Sequence, residues 1–288
     1  MNDFEQEFHP VEDAAPELAP QPAPKKQDRV MTILMVVFAG IFLLSVGMIG
    51  KKLWEAHTQK ENFKDLQQIA GTVQKPEQPE VDDAAKAEAE RLAGLQALHD
   101  QNPDFAGWLQ IPDTNINYPV MCTPDDVEYY LYRDFDGNKA VSGVPFLGGG
   151  CTSFSSSVIV HGHNMRNGTM FHDLMKYMKQ DFWEAHPVIT YSTLEKYGQY
   201  EVLAAFNYDA TLNPDPAAFN LYAYAGDLSE EDFNTLMDYI TRHDLYDTGV
   251  TAEYGDRLLI LSTCAYHTEN GRFVVVGREK AEDLPGAQ

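Results

Sequence analysis

RLLILSTCAYHTENGRFVVVGR, residues 257–278, governs how the rest of the chain is read. Two runs dense in Leu, Ile and Val flank a polar loop, the composition of strands buried in a sheet. The first run ends at Cys264 and the second opens at Arg272. A two-residue turn at Asn270-Gly271 pairs Glu269 with Arg272 and puts Cys264 opposite Gly277. A longer loop centred on Thr268 instead puts Cys264 opposite Arg272. Both registers are open at this level, and only the second brings sulfur and guanidinium together. A nearby cation stabilises a thiolate, and an arginine polarises a carbonyl without titrating itself. Taken alone, Cys264 reads equally as an inert small apolar residue at a strand end.

Upstream, the same alternation of short β-like runs and turn signals extends back to Asn102. The runs are GWLQI, INYPVM, VPFLGG, SSVIVHGH, VITYS and YEVLAAFNY, followed by the two above. Short strands with few long helices predict a mainly β, partly closed barrel. Two helical insertions are expected, one around 170–185 and a clearer one at Ser229 to His243, where Ser229 and Asp232 have capping-box spacing. A helix is also expected over Ala84 to His99, rich in strong helix formers.

The run SSVIVHGHNMRNGTMF (residues 156–171) leads a short apolar strand into His161-Gly162-His163-Asn164. A histidine on a loop just past a strand is well placed for proton transfer, and Gly162 allows close backbone approach. His161 and His163 make a poor metal pair, because no third ligand sits at a recognisable zinc spacing and Cys122 and Cys151 form no C-x-x-C. No metal and no cofactor is expected.

Outside this region, Val30 to Gly50 (VMTILMVVFAGIFLLSVGMIG) carries no charge over 21 residues. At ~1.5 Å rise per residue such a helix crosses a ~30 Å hydrocarbon core. It reads as a transmembrane anchor rather than a signal peptide, since 29 residues precede it and no A-x-A site follows. Basic residues flank it on both sides, Lys25, Lys26 and Arg29 before it and Lys51, Lys52, Lys60 and Lys64 after it, so the positive-inside count does not choose an orientation. The Pro- and acid-rich residues 1–29 read as a disordered cytoplasmic tail, which puts the folded mass outside. Residues 51–83 read as stalk and linker, 84–280 as the folded domain and 281–288 as a tail. The net charge of −23 (44 acidic against 21 basic residues) argues against a nucleic-acid binder. Three cysteines leave an odd thiol in an exported domain, with Cys122 and Cys151 either bridged or free.

With these residues in hand, the chain resembles the sortases, and class B sortases in particular, over about 102–278. NPDFAGWLQIPDTNINYPV and YYLYRDFDGNKAVSGVPFL look like the opening of a class B catalytic domain, VIVHGHNMRNGTMF like its histidine motif, and LSTC with RFVVVGR like its cysteine and arginine motifs. The resemblance implies a closed β-barrel of about eight strands, an N-terminal helix and a long helix before the cysteine strand. By position, it implies catalytic roles for His163, Cys264 and Arg272. It also implies a membrane-anchored transpeptidase whose partners are the sorting-signal peptide of a secreted protein and an amine of peptidoglycan or a pilin. The expected chemistry is two acyl transfers through a Cys264 thioester. The rival readings are a cysteine peptidase that hydrolyses the same signal and a non-catalytic surface domain. Three positions depart from the pattern: Ile260 where Thr usually opens the cysteine motif, Gly148 where an acidic residue is common, and His161 where an aromatic is more usual.

Overall fold

The computed structural model describes residues 26–71, 81–211, 218–265 and 268–280. The tails over 1–25 and 281–288 and most of the linker, 72–80, lie outside the described residues. The eight apolar runs form eight strands: β1 (Phe105–Gln110), β2 (Asn117–Met121), β3 (Phe146–Leu147), β4 (Ser157–Gly162), β5 (Val188–Ser192), β6 (Tyr197–Asp209), β7 (Leu258–Cys264) and β8 (Gly271–Glu279). They close in the order β1-β2-β3-β4-β7-β8-β6-β5, with β5 returning to β1. Closure leaves no free sheet edge, so every strand is held from both sides.

Side chains alternate between the two faces of each strand. Val158, Val160, Leu259, Leu261, Phe273 and Val275 fill the barrel interior. The alternate set, Ile159, Ile260, Val274 and Val276, faces outward and is covered by Phe233, Leu236 and Ile240 of the helix Glu230–His243. That double burial is why β7 and β8 are continuous apolar runs.

In chain order the α-helices among the described residues are α1 (Lys26–Ile69), which is the longest, α2 (Val81–Gln101), α3 (Gln180–Ala185) and α4 (Glu230–His243). The chain divides into two compact units between Trp54 and Glu55. The first contains the apolar length of α1, whose Val30, Phe38, Leu43 and Leu44 are all exposed. In the second, the end of α1 and α2 place Phe63, Leu66, Leu95 and Leu98 against Trp108 and Tyr118. The α2 helix opens three residues before the expected Ala84. The expected insertion around 170–185 is a 3₁₀ segment, Phe171–Met178, followed by α3. In α4 the predicted cap is present: Ser229 Oγ accepts from Asp232 N at 3.1 Å.

Candidate active site

The hairpin between β7 and β8 takes the longer register. Cys264 pairs with Arg272, Thr263 with Phe273 and Ser262 with Val274. The turn is closed by Ala265 N donating to Gly271 O (2.9 Å) and Gly271 N to Thr268 O (3.2 Å). The two-residue Asn270-Gly271 turn is therefore excluded. Directly paired residues share a sheet face, so the Cys264 thiol and the Arg272 guanidinium project from the same side of adjacent strands.

The histidine arrives from the other flank of β7. Strand β4 runs parallel to it, with His161 paired to Ser262 and Gly162 to Thr263. His163 thus follows the last pair by one residue, as Cys264 does, and the two sit at the same end of the barrel. Thr263 Oγ1 donates to Gly162 O at 2.8 Å, tying this end shut. Gly162 is required by packing: a β-carbon there would lie 2.6 Å from the Phe171 ring. All three groups are partly exposed at the rim of the outer face, beyond the part that α4 covers.

His163 has a defined partner. Its Nε2 lies 2.8 Å from the Leu131 carbonyl oxygen, and its ring packs on Tyr132 with centroids 5.3 Å apart. A carbonyl only accepts, so Nε2 carries the proton and Nδ1 is the nitrogen that gains or loses one. Next to it, Asn164 Nδ2 donates to the Cys264 carbonyl (3.0 Å), while its Oδ1 accepts from His172 Nδ1 (3.0 Å). The histidine loop is thereby fastened to the backbone of the cysteine strand.

Arg272 Nη1 donates to the Gly271 carbonyl at 3.0 Å, and two tyrosines stand near it. Tyr208 is its cross-strand partner on β6, and Tyr222 stands close, its hydroxyl 3.1 Å from Ser262 Oγ. His161 lies between Phe146 (5.5 Å) and Tyr222 (5.1 Å). Burial, with the Arg272 charge second, lowers its pKa from 6.5 to about 4, so it is neutral near pH 7. Two of the sequence departures are neighbours in space: a β-carbon on Gly148 would lie 3.1 Å from His161 Nε2. The third, Ile260, is buried under α4 and away from the rim.

Leu131, Asn164, His172 and Tyr222 escape sequence reasoning. Asn164 alone has a signal, its place directly after His163 in the same loop. Leu131 acts through its backbone, which no side-chain pattern reveals. Cys122 and Cys151 are free thiols, each pushed up by burial, and Cys151 Sγ donates to Gly148 O at 3.2 Å. Among the described residues no group of three or more His, Cys, Asp or Glu is arranged to hold a metal ion.

A closed eight-strand barrel with a cysteine, a histidine and an arginine at one rim can be compared with known proteins. The sortase domain family model matches residues 109–280, and the chain belongs to the sortase family of cysteine transpeptidases. Within that family it is of class B. It is 31% identical over 257 residues to sortase B of Listeria monocytogenes, covering 85% of this chain and 94% of that one. To sortase B of Staphylococcus aureus it is 25% identical over 257 residues, covering 88% and 98%. It also shares its fold with a solved Staphylococcus aureus sortase B–substrate complex, with a TM-score of 0.63 and 23% identity over 80% of this chain and 99% of that one.

Proposed function

We propose that this chain is a membrane-anchored transpeptidase that cleaves the sorting signal of secreted proteins and joins the new carboxyl end to an amine of the cell wall or of a pilin. The observation that carries the reading is the register that makes Cys264 and Arg272 direct partners, with His163 one residue beyond the adjoining pair.

The Cys264 thiolate attacks the scissile carbonyl, and a C–S bond forms. Arg272, with backbone N–H groups, stabilises the oxyanion. The C–N bond then breaks, and His163 delivers a proton from Nδ1 to the departing amine, leaving a thioester. The acceptor amine attacks that thioester, His163 takes up its proton, and the C–S bond breaks to restore the thiolate. A thiolate–imidazolium pair and a neutral pair are both starting states of one coupled titration.

The related Staphylococcus aureus structure is a sortase B–substrate complex, which supports a peptide groove here. The anchor reading draws support from α1, a helix long and apolar enough to cross a membrane by length and composition. In it residues 30–50 span the membrane once, with the N-terminus cytoplasmic and the catalytic unit outside.

The test is mass spectrometry of the detergent-solubilised chain with a panel of sorting-signal peptides, with and without oligoglycine or a diaminopimelate-type amine. A thioester on Cys264 that resolves to an amide, absent in Cys264→Ala and reduced about 10²- to 10³-fold in rate by Arg272→Ala, is expected. Hydrolysis alone in the presence of amine would assign a peptidase, and no adduct with any peptide would overturn the reading.

A further inference from the structure

The carbonyl that holds His163 belongs to a short 3₁₀ turn, Tyr129–Tyr132, and a returning segment is laid against that turn. Leu131 N donates to Glu128 O at 2.9 Å, Ala140 N to Tyr132 O at 3.0 Å, and Val144 N to Tyr130 O at 3.2 Å. Between the last two lies Gly143, with φ 57°. A β-carbon on Gly143 would collide with the Leu131 carbonyl oxygen and lie 2.6 Å from Tyr130 O. Its neighbour Ser142 is buried, and its hydroxyl donates to Gln59 Oε1 on α1 at 2.9 Å. The contact made by Gly143 therefore falls on the same oxygen that His163 Nε2 reaches at 2.8 Å.

We infer that Gly143 is a positioning residue for His163: its missing side chain lets the 142–144 backbone clamp the Leu131 peptide, and the clamped carbonyl holds the imidazole in the Nε2–H tautomer. Ser142 fastens this clamp to α1. The inference rests on the proton-transfer role proposed for His163, since only that role makes the tautomer matter to rate. A carbonyl displaced by a methyl group loses its hydrogen bond to Nε2, and the neutral ring then divides between two tautomers, one of which presents the wrong nitrogen.

The experiment uses the full chain in nanodiscs with ¹⁵N-labelled histidine, comparing Gly143→Ala with Gly137→Ala. Gly137 is the matched control, on the same segment at φ 80°, where an added β-carbon would meet only the Tyr129 hydroxyl at 3.3 Å. In Gly143→Ala the ring nitrogens of His163 should report mixed tautomers, and kcat should fall about tenfold or more with KM within about twofold. Gly137→Ala should retain both the tautomer and the rate. An unchanged tautomer in Gly143→Ala, or equal scrambling in the control, overturns the inference. If Gly143→Ala does not fold, Ser142→Ala stands in, with a fall in kcat of about threefold and a partial tautomer shift expected; no change in either overturns the inference. The tautomer is read without peptide, so a wild-type chain that transfers nothing would overturn the proposed function and leave this test standing.

Discussion

His161 stands beside the proposed catalytic arginine and stays uncharged there. Its folded-state pKa of about 4 lies below the 6.5 of an ordinary histidine, because burial and then Arg272 disfavour its cation. Between those values the unfolded chain binds a proton at this residue more readily than the folded chain. The stability it withholds therefore grows as pH falls from 6.5 toward 4 and stops growing below that. The full loss is about 3 kcal/mol. Urea titrations at pH 7 and pH 4.5 should show a smaller acid-side loss for His161→Phe than for wild type; identical losses would mean that His161 does not titrate this way. The same residue shows how local chemistry escapes a sequence reading. As a departure from the family pattern it reads either as a support beside the site or as incidental, and only the fold sets it against Gly148, Tyr222 and Arg272.

At the level of elements, α4 explains why the site occupies the rim and not the middle of the outer face. Phe233, Leu236 and Ile240 recur at helical spacing and cover the apolar lower part of β7 and β8, while the covered face ends before Cys264 and Arg272. Ser229 starts this helix by accepting from Asp232 N, with Glu230, Glu231 and Asp232 in the first turn and Arg242 and His243 in the last. Ser229→Ala should lower stability by about 1 kcal/mol, read from the urea midpoint at unchanged slope. No shift in midpoint would show that the helix is held by its apolar face alone. Cap and periodicity make α4 legible from sequence, as β-rich runs do for all eight strands. The 3₁₀ segment Phe171–Met178 falls where a helix is expected, because i→i+3 and i→i+4 winding draw on similar residues. Burial of Phe171 against Gly162 and of Asp173, which accepts from Asn115 N at 2.9 Å, sets its actual path.

For the whole molecule, composition and hydropathy mark two unlike units. One is a helix whose apolar residues are exposed, and the other a barrel with a filled interior. Burying an apolar surface of that kind in lipid is strongly favourable, whereas leaving it in water invites association. The full chain should remain in the membrane fraction after carbonate extraction. In a Cys122→Ala background, which removes the other partly exposed thiol, an impermeant maleimide should label Cys264 in intact cells, with the further Cys264→Ala change abolishing the label. Release by carbonate, or labelling of Cys264 only after lysis, would sink the single-pass, outward-facing reading.

Sequence by itself determined the strand set, the capped helix before the cysteine strand and the apolar helix, and through the family resemblance it singled out the three residues proposed for catalysis. Each of these is written in local pattern: period, cap, length without charge, or motif. The register of the β7–β8 hairpin was beyond it, because both faces of those strands are apolar and a slip exchanges one buried set for another. Barrel closure makes that choice, since β8 must also pair with β6, with Tyr208 opposite Arg272 and Asp209 opposite Gly271. The support for His163 was equally out of reach. It comes from a backbone carbonyl 32 residues upstream, packed against a glycine whose only relevant property is the space it leaves, and contacts of that kind exist only once the chain has closed on itself.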